Sequence, residues 1–518
     1  MTVPPPRRAL TRISHNPIEK GCPSWHKLFL HNELVQKQGG SPVIPECIQT
    51  SFDFQPLCGR RITARFDGGT LTSDAGGLLL REVEARTSIV RDFARCFEDF
   101  RDPERIDFTV EELLKQRIFA LGLGYEDLND HEQLRRDPLL AVLVGRRDPT
   151  GEDRIDPRDR GVPLAGKSTL NRLELTPSRA SVASRYKKIA ARHGQIESFL
   201  VNTFLRLTPR PPEEIVLDFD ATDDPLHGHQ LGRFFHGYYD GYCYLPLYVF
   251  CGEHLLCAKL RPANIDACLG ALGVLQQLVA RIRQRWPQVR IVVRGDSGFC
   301  REHLMRWCED HGVDYVLGLA KNGRLLRALG AELQAAKQQF EQTNLASRVF
   351  KDLQYRTRKS WSRERRVVGK AEHLAKGSNP RFVVTSLSQQ CDARTLYEQR
   401  YCGRGDMENR IKEQQRCLFA DRTSCHTMRA NQLRLWLSSV AYVLLQALRE
   451  HGLRDTPLAR AQCDTIRLKL LKIGARVRVT VRRIWFSMAD SYPYQALFAR
   501  VFENLQAWRA LPPTAAPA

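Results

Sequence analysis

Apolar runs of strand length alternate with helical segments between residues 214 and 320, and this alternation constrains the fold more than any other feature of the chain. Three strand-like runs come first, EIVLDFD, YCYLPLYVF and EHLLCAKL, and the last two are predicted to pair as a hairpin. A helix, the strand VRIVVR, a second helix and the strand VDYVLGLA follow. A hairpin leading into helical crossovers and further strands predicts an α/β sheet with helices on its faces.

The composition of the remaining chain predicts further regions around this sheet. Residues 321–395 break the alternation with charged, strand-like segments, and nine Lys or Arg stand against three acids between Lys351 and Lys376. The predicted regions are 1–60, an extended or poorly ordered arm; 61–210, a helical DNA-binding domain; 211–320, the first part of the core; 321–395, a basic β-rich insertion; 396–450, the C-terminal helices of the core; and 451–518, a basic C-terminal region.

The charge of the chain indicates a polyanionic partner. Lys and Arg number 79 against 58 Asp and Glu, which gives a formal net charge of +21. Cations placed on phosphates release condensed counterions, so nucleic acid is the expected partner. The alternative is a basic surface without a specific partner.

Cysteine usage and hydropathy predict a protein of the cytoplasm. The 15 cysteines include no Cys-x-x-Cys pair and are interpreted as reduced thiols. The first residues lack the apolar core of a secretory signal. The longest apolar stretch, Leu435 to Leu448, has 14 residues, too few to span a bilayer, and is predicted to be a buried helix.

Two strand ends carry acids that are expected to meet. Side chains alternate along a strand, so EIVLDFD places Asp218 and Asp220 on one face. Asp296 directly follows the strand VRIVVRG. Ligand sites in open α/β sheets gather at the carboxyl ends of strands, so these acids are candidate ligands. The alternative for each is a solvated loop acid, and either Asp218 or Asp220 could be the first acid of the set.

A third acid lies on a predicted helix far along the chain. In YCGRGDMENRIKEQQ, residues 401–415, helical spacing aligns Arg404, Glu408, Ile411 and Gln415 on one stripe. An ordinary surface ion pair between Arg404 and Glu408 is the alternative. Three carboxylates converging on one sheet edge would suit Mg²⁺, which prefers oxygen ligands, and two such ions are suited to phosphodiester chemistry.

These motifs resemble those of the DDE transposases of bacterial insertion sequences. The resemblance rests on LDFDATDDP, on VVRGDSGF and on Tyr401-x-x-Arg404-x-x-x-Glu408, and it covers about residues 61 to 450. It implies an RNase H-like catalytic core in which Asp220, Asp296 and Glu408 are catalytic and bind two Mg²⁺ ions, for which Mn²⁺ could substitute. The basic segment 321–395 lies where one branch of the family carries a β-rich insertion.

The same resemblance implies a substrate and a reaction. The protein is expected to bind the double-stranded DNA of terminal inverted repeats, to cut the 3′ ends and to join them to target DNA, as a homodimer near the bacterial nucleoid. Tyr401 and Arg404 are expected to hold DNA phosphates. One departure from the family pattern is Gln415, which stands where the signature has Lys, with Arg416 beside it.

Other motifs leave alternatives open. GVPLAGKST matches a phosphate-binding loop, so that a P-loop nucleotide hydrolase depending on Lys167 is one alternative function, although no apolar strand precedes the motif. A DNA-binding protein with an inactive nuclease site is another. His227 and His229 are a possible metal pair, and Trp361 either stacks on a base or packs in the core. The alternating ARVRVTVRR, residues 475–483, either contacts DNA or is solvated.

Overall fold

The computed structural model describes residues 51–509, so most of the predicted N-terminal arm and the final nine residues lie outside the described part. The chain divides into two compact units, Met1–Asp67 and Gly68–Ala518. The described part of the first unit is an antiparallel hairpin of β1 (Ser51–Leu57) and β2 (Arg60–Arg65). Its turn places Cys58 and Gly59 at positive φ, which Gly59 adopts without steric cost.

Residues 68–210 are mainly helical. Thr109 begins the helix Val110–Leu123, because its hydroxyl and the Glu112 carboxylate form a reciprocal capping box, and Gly124 ends that helix at a φ of 98°. The helices are α1 (Leu78–Thr87), α2 (Ile89–Ala94), α3 (Val110–Leu123), α4 (His131–Leu134), α5 (Pro138–Val144), α6 (Lys167–Glu174) and α7 (His193–Leu207), and the short strands are β3 (Leu71–Thr72), β4 (Phe97–Asp99) and β5 (Ile189–Ala191).

The central sheet confirms the predicted element order. Its strands and crossover helices are β6 (Glu214–Ala221), β10 (Leu247–Cys251), β11 (His254–Lys259), α8 (Ala271–Arg285), β12 (Arg290–Gly295), α9 (Glu302–Asp310) and β13 (Asp314–Leu319). The spatial order is β11-β10-β6-β12-β13, with β10 antiparallel and β12 parallel to β6. A small side sheet, β7 (Asp224–Pro225), β8 (Phe234–His236) and β9 (Gly241–Tyr244), lies between the first two core strands in sequence. The chain therefore has the predicted RNase H-like α/β core.

The segment after β13 differs in part from the predicted run of strands. It begins with two helices, α10 (Gly323–Ala328) and α11 (Gly330–Thr343), because Asn322 caps the first and the second is rich in Ala, Gln and Glu. The strands follow as β14 (Ser347–Tyr355), β15 (Arg365–Leu374), β16 (Gly377–Ser378) and β17 (Arg381–Thr385). They extend the core sheet in the order β13-β17-β15-β14, so that nine strands form one sheet.

Helices return after residue 392. The elements are α12 (Ala393–Thr395), a π-helical turn (Leu396–Tyr401), a 3₁₀ turn (Cys402–Arg404), α13 (Gly405–Leu418), α14 (Met428–Ala447), a π-helical turn (Leu448–Gly452), α15 (Cys463–Ile466), a π-helical turn (Arg467–Leu471), β18 (Ala475–Val479), β19 (Ile484–Met488) and α16 (Gln495–Ala507).

The buried helix α14 joins the helical region to the sheet. It contacts α3 on one side and β11 on the other, and a single hydrophobic core runs from Leu79 through α14 to Leu505. Within residues 51–509, no helix combines the length and the apolar character that crossing a membrane requires. The apolar stretch from Leu435 to Leu448 is thus a core helix, as predicted.

Candidate active site

The first two predicted acids lie at the same edge of the sheet. Asp220 is near the carboxyl end of β6, and Asp296 directly follows β12. These strands are parallel neighbours, with Gly295 in register with Phe219, so their carboxyl ends meet. Glu408 lies in the first turn of α13.

Arg404 links the strand acid to the helix acid. Its Nη1 donates to Asp220 Oδ1 at 3.4 Å, and its Nη2 donates to Glu408 Oε1. The structure thus brings Asp220, Glu408 and Arg404 together, as the motif predicts, but the guanidinium contacts both carboxylates instead of leaving them free.

The electrostatics of Asp220 show that all three acids interact. Burial raises the pKa of its carboxyl from the ordinary value of 3.8 to about 6. The Arg404 guanidinium lowers this pKa, whereas the negative charges of Asp296 and Glu408 raise it. Asp220 is therefore a half-buried carboxyl whose ionised form is disfavoured mainly by desolvation, and a further cation would stabilise that form.

The three carboxylates are not arranged as a ready ligand set. Among residues 51–509, no group of three or more His, Cys, Asp or Glu side chains is placed so as to hold a metal ion. Arg404 bridges two of the three acids, which is a physical reason for this arrangement. The donor chemistry nevertheless fits Mg²⁺, since all the donors are carboxylate oxygens.

Asp218 has a different environment from Asp220. Its side chain is 3% exposed and forms a bidentate ion pair with Arg294, in which Nη2 donates to Oδ2 at 2.7 Å. Burial raises the pKa of Asp218, and the hydrogen bond from Arg294 lowers it. Because its charge is already compensated, Asp218 is a structural acid, and the geometry favours Asp220 as the first acid of the set.

Arg294 also holds the segment that carries the signature motif. Its Nη1 donates to the carbonyl oxygen of Arg400 at 2.6 Å, and the Arg400 side chain donates to Glu214 at 2.6 Å. A Cβ on Gly403 would lie 2.7 Å from Arg294 Nη1, so a larger residue here would have to displace the Arg294 guanidinium. Sequence reasoning missed Arg294, although an arginine at the end of an apolar strand was an available signal.

Tyr401 lies close to the loop of the second acid. A Cβ on Gly318 of β13 would lie 2.7 Å from the Tyr401 hydroxyl and 2.9 Å from the Ser297 amide nitrogen. Burial raises the pKa of Tyr401, Arg404 lowers it and Asp296 raises it. The glycine, which sequence reasoning also missed, makes room for the tyrosine beside Asp296.

Gln415, which replaces the signature lysine, has a structural contact. Its Nε2 donates to the carbonyl oxygen of Asp223 at 3.0 Å and thereby ties α13 to the chain that leaves β6. Arg416 beside it is exposed.

The contacts of the remaining sequence candidates do not involve the three acids. His227 and His229 are exposed, and His229 contacts Arg233 rather than a second metal ligand. Trp361 is 4% exposed and packs edge-on against Tyr355, which supports core packing over base stacking.

The lysine motif also lacks the structure of a phosphate-binding loop. The chain before α6 contains a 3₁₀ turn, Pro157–Asp159, where a strand would be required. The Glu132 carboxylate accepts from the Lys167 amide at 3.0 Å, so an acid occupies the helix start where phosphate would bind.

The strand order and pairing define a class of protein, those with an RNase H-like α/β core. The family model for the transposase DDE domain, group 1, matches residues 54–510, and the chain belongs to this family. Among solved structures, the chain is similar to one described as a cryo-EM structure of a piggyBac transposase synaptic complex with hairpin DNA. The identity is 10%, the TM-score is 0.36, and the match covers 86% of this chain and 87% of that one. Comparison with curated proteins gives no match.

Proposed function

We propose that this transposase binds the terminal inverted repeats of its element, cuts the 3′ ends by metal-dependent hydrolysis and joins them to target DNA. The observation that carries the proposal is the convergence of Asp220, Asp296 and Glu408, from three separate segments, around one edge of the sheet. The formal net charge of +21 supports a DNA partner.

The proposed ligands are Asp220, Asp296 and Glu408, and the bound ions are Mg²⁺, with Mn²⁺ as a substitute. Two bound divalent ions would activate the attacking oxygen and stabilise the leaving oxygen of a phosphodiester. Occupation of the site would stabilise the ionised form of Asp220, whose pKa is raised by burial and by the negative charges of Asp296 and Glu408. Arg404 would then be available to a DNA phosphate, because its present partners are two of the proposed ligands.

The two proposed reactions share one geometry. In the first, water attacks a phosphorus atom at the element end, the bond to the 3′ oxygen breaks, and a 3′-hydroxyl and a 5′-phosphate are formed. In the second, this 3′-hydroxyl attacks a phosphorus atom of target DNA and displaces the 3′ oxygen of the target strand. Tyr401 and Arg404 are the residues proposed to position the phosphate, and two ends held in one complex would require at least a dimer.

The test is cleavage of duplex DNA carrying the sequences that flank the coding region, with Mg²⁺. Asp296→Asn and Glu408→Gln should abolish nicking and retain binding to the same duplex in EDTA. Asp310→Asn, which removes an exposed carboxylate on α9, is the matched control and should nick normally. Nicking that persists in both site variants would refute the site. Absence of nicking in the unaltered protein, with binding intact, would identify an inactive DNA-binding protein instead.

A further inference from the structure

The two-stranded ribbon of β18 and β19, residues 475–488, carries an unusual concentration of positive charge. Its sequence, ARVRVTVRRIWFSM, contains no acid. The cations are Arg476, Arg478, Arg482 and Arg483. All are exposed, the first two along β18 and the last two at the turn between the strands. The ribbon therefore presents its charge to solvent over its length and at its tip.

The two faces of the ribbon have opposite character. Ala475 and Val477 are buried, and Ala475 belongs to a small hydrophobic cluster on which the ribbon rests. On the other face, Arg478 is in register with Trp485, and Trp485 is 46% exposed. One face anchors the ribbon, and the other combines arginines with an exposed aromatic ring.

The base of the ribbon is held by the rest of the second unit. Ala475 pairs with Thr72 of β3, and the Ala489 amide donates to the Gly474 carbonyl at 2.9 Å. The arginine side chains are thus displayed from a paired backbone rather than from a loose loop.

The arginines of the ribbon lack acidic partners. In the described range 51–509, Arg476, Arg478, Arg482 and Arg483 form no ion pair with a carboxylate. Arg483 instead lies over the Trp485 ring, with 5.7 Å between its guanidinium carbon and the ring centroid. Four exposed guanidinium groups with no compensating acid repel one another and are stabilised by an external polyanion.

We infer that the exposed face of this ribbon binds the phosphate backbone of duplex DNA as a contact surface separate from the acid edge. The inference rests on the proposed function only in taking DNA as the substrate. A two-stranded β-ribbon fits the major groove of B-DNA, and guanidinium groups bind phosphate oxygens in a bidentate manner. The four cations and the absence of acids supply the charge complementarity. Trp485 adds an aromatic surface with an N–H donor on the same face.

The experiment measures the salt dependence of DNA binding in EDTA, where cleavage plays no part. The protein is titrated with a fluorescent duplex of the flanking DNA at several KCl concentrations between 50 and 200 mM. The slope of log K against log salt is negative, and each phosphate contact makes it steeper by about 0.9. Four contacts therefore make it steeper by about 3.6. The variant R476Q/R478Q/R482Q/R483Q should make the slope shallower by about this amount. The corresponding four Arg→Lys changes keep the charge and should preserve most of the slope.

A smaller pair of variants keeps the inference testable if the quadruple glutamine variant does not fold. R482Q/R483Q at the ribbon tip should make the slope shallower by about 2, since two contacts are lost. R306Q/K337Q removes the same charge from exposed positions on α9 and α11 and should leave the slope unchanged. Equal slopes for R482Q/R483Q and the unaltered protein would overturn the inference.

Binding of a second protein chain to the ribbon, in place of DNA, would give a different experimental result. If the ribbon bound a second copy of this chain, the variants would shift the molecular mass in solution without DNA and leave the salt slope unchanged, which would also overturn the inference. Because binding is measured without Mg²⁺, failure of the carboxylate site would appear only in the nicking assay. The two proposals therefore fail in separate measurements.

Discussion

Replacing Asp220 by Asn should make the metal-free protein more stable at neutral pH. In the folded protein burial and the neighbouring acids raise the pKa of Asp220 to about 6, whereas its ordinary value is 3.8. This difference corresponds to about 3 kcal/mol of unfolding free energy. Asn has nearly the same shape and carries no charge, so it removes this cost while abolishing a proposed metal ligand.

The sign of the pH dependence follows from the direction of the shift. Because the folded-state pKa lies above the unfolded value, the folded protein holds the proton more tightly. The contribution of Asp220 to stability is therefore fully present below about pH 4 and is lost as the pH rises from 3.8 to about 6. The stability difference between D220N and the unaltered protein should be small at pH 4 and reach its full size above pH 7.

The assay is urea unfolding in EDTA, followed by tryptophan fluorescence, at several pH values between 4 and 7.5. D310N serves as the control and should differ from the unaltered protein by less than about 0.5 kcal/mol at every pH, because surface changes have small effects. Added Mg²⁺ should stabilise the unaltered protein more than D220N. Removal of Arg404 in R404A should widen the difference, since this guanidinium lowers the pKa of Asp220.

Two results would refute this reasoning. A difference between D220N and the unaltered protein that stays constant from pH 4.5 to 7.5 would show that ionisation of Asp220 costs the fold nothing. A D220N protein that is less stable at pH 7.5 would show that the carboxylate is favoured, not disfavoured, by its surroundings.

Three further predictions concern contacts of the site and the lysine motif. Asp218→Ala leaves the Arg294 guanidinium buried without its acid and should destabilise the protein by about 3–5 kcal/mol in urea unfolding, whereas the apolar double replacement D218L/R294M should cost less. Gly318→Ala places a Cβ 2.7 Å from the Tyr401 hydroxyl and should reduce nicking at least tenfold (about 1.4 kcal/mol) with an unchanged circular dichroism spectrum; normal nicking would exclude this packing role. Lys167→Ala should leave nicking and DNA affinity unchanged. If the unaltered protein hydrolysed ATP and Lys167→Ala abolished that hydrolysis, the result would support the nucleotide-hydrolase alternative.

The central sheet could be predicted from the sequence because its signals are local. Strand-length apolar runs ending in acids mark the ends of β6 and β12, and the carboxyl ends of neighbouring parallel strands must share an edge. The helix of Glu408 could be placed from helical spacing, but its approach to the edge came from the family resemblance.

The parts that sequence could not supply depend on register between distant segments. Asp218 and Asp220 lie on the same face of β6, and only the pairing of β6 with β12 shows that Arg294 compensates the first of them. The residues of that ion pair are 76 positions apart. The bridging position of Arg404 depends in the same way on how α13 docks against the sheet.

In the first part of residues 321–395, a local sequence pattern was available but was not used. Residues 330–343 have strong local helix propensity, yet the charged character of the whole segment favoured strands in the sequence interpretation. Treating residues 321–395 as one basic segment obscured the helix propensity of residues 330–343. The strands β14, β15 and β17 agree with the strands expected there.

The continuous sheet has a mechanical consequence for the insertion. Backbone hydrogen bonds run from β12 through β13, β17 and β15 to β14, a span of four strand spacings or about 19 Å. A load applied to β14 would reach β12, the strand before Asp296, through backbone hydrogen bonds without a hinge. Deletion of residues 321–395 would remove β17 and leave β13 as a bare edge open to aggregation.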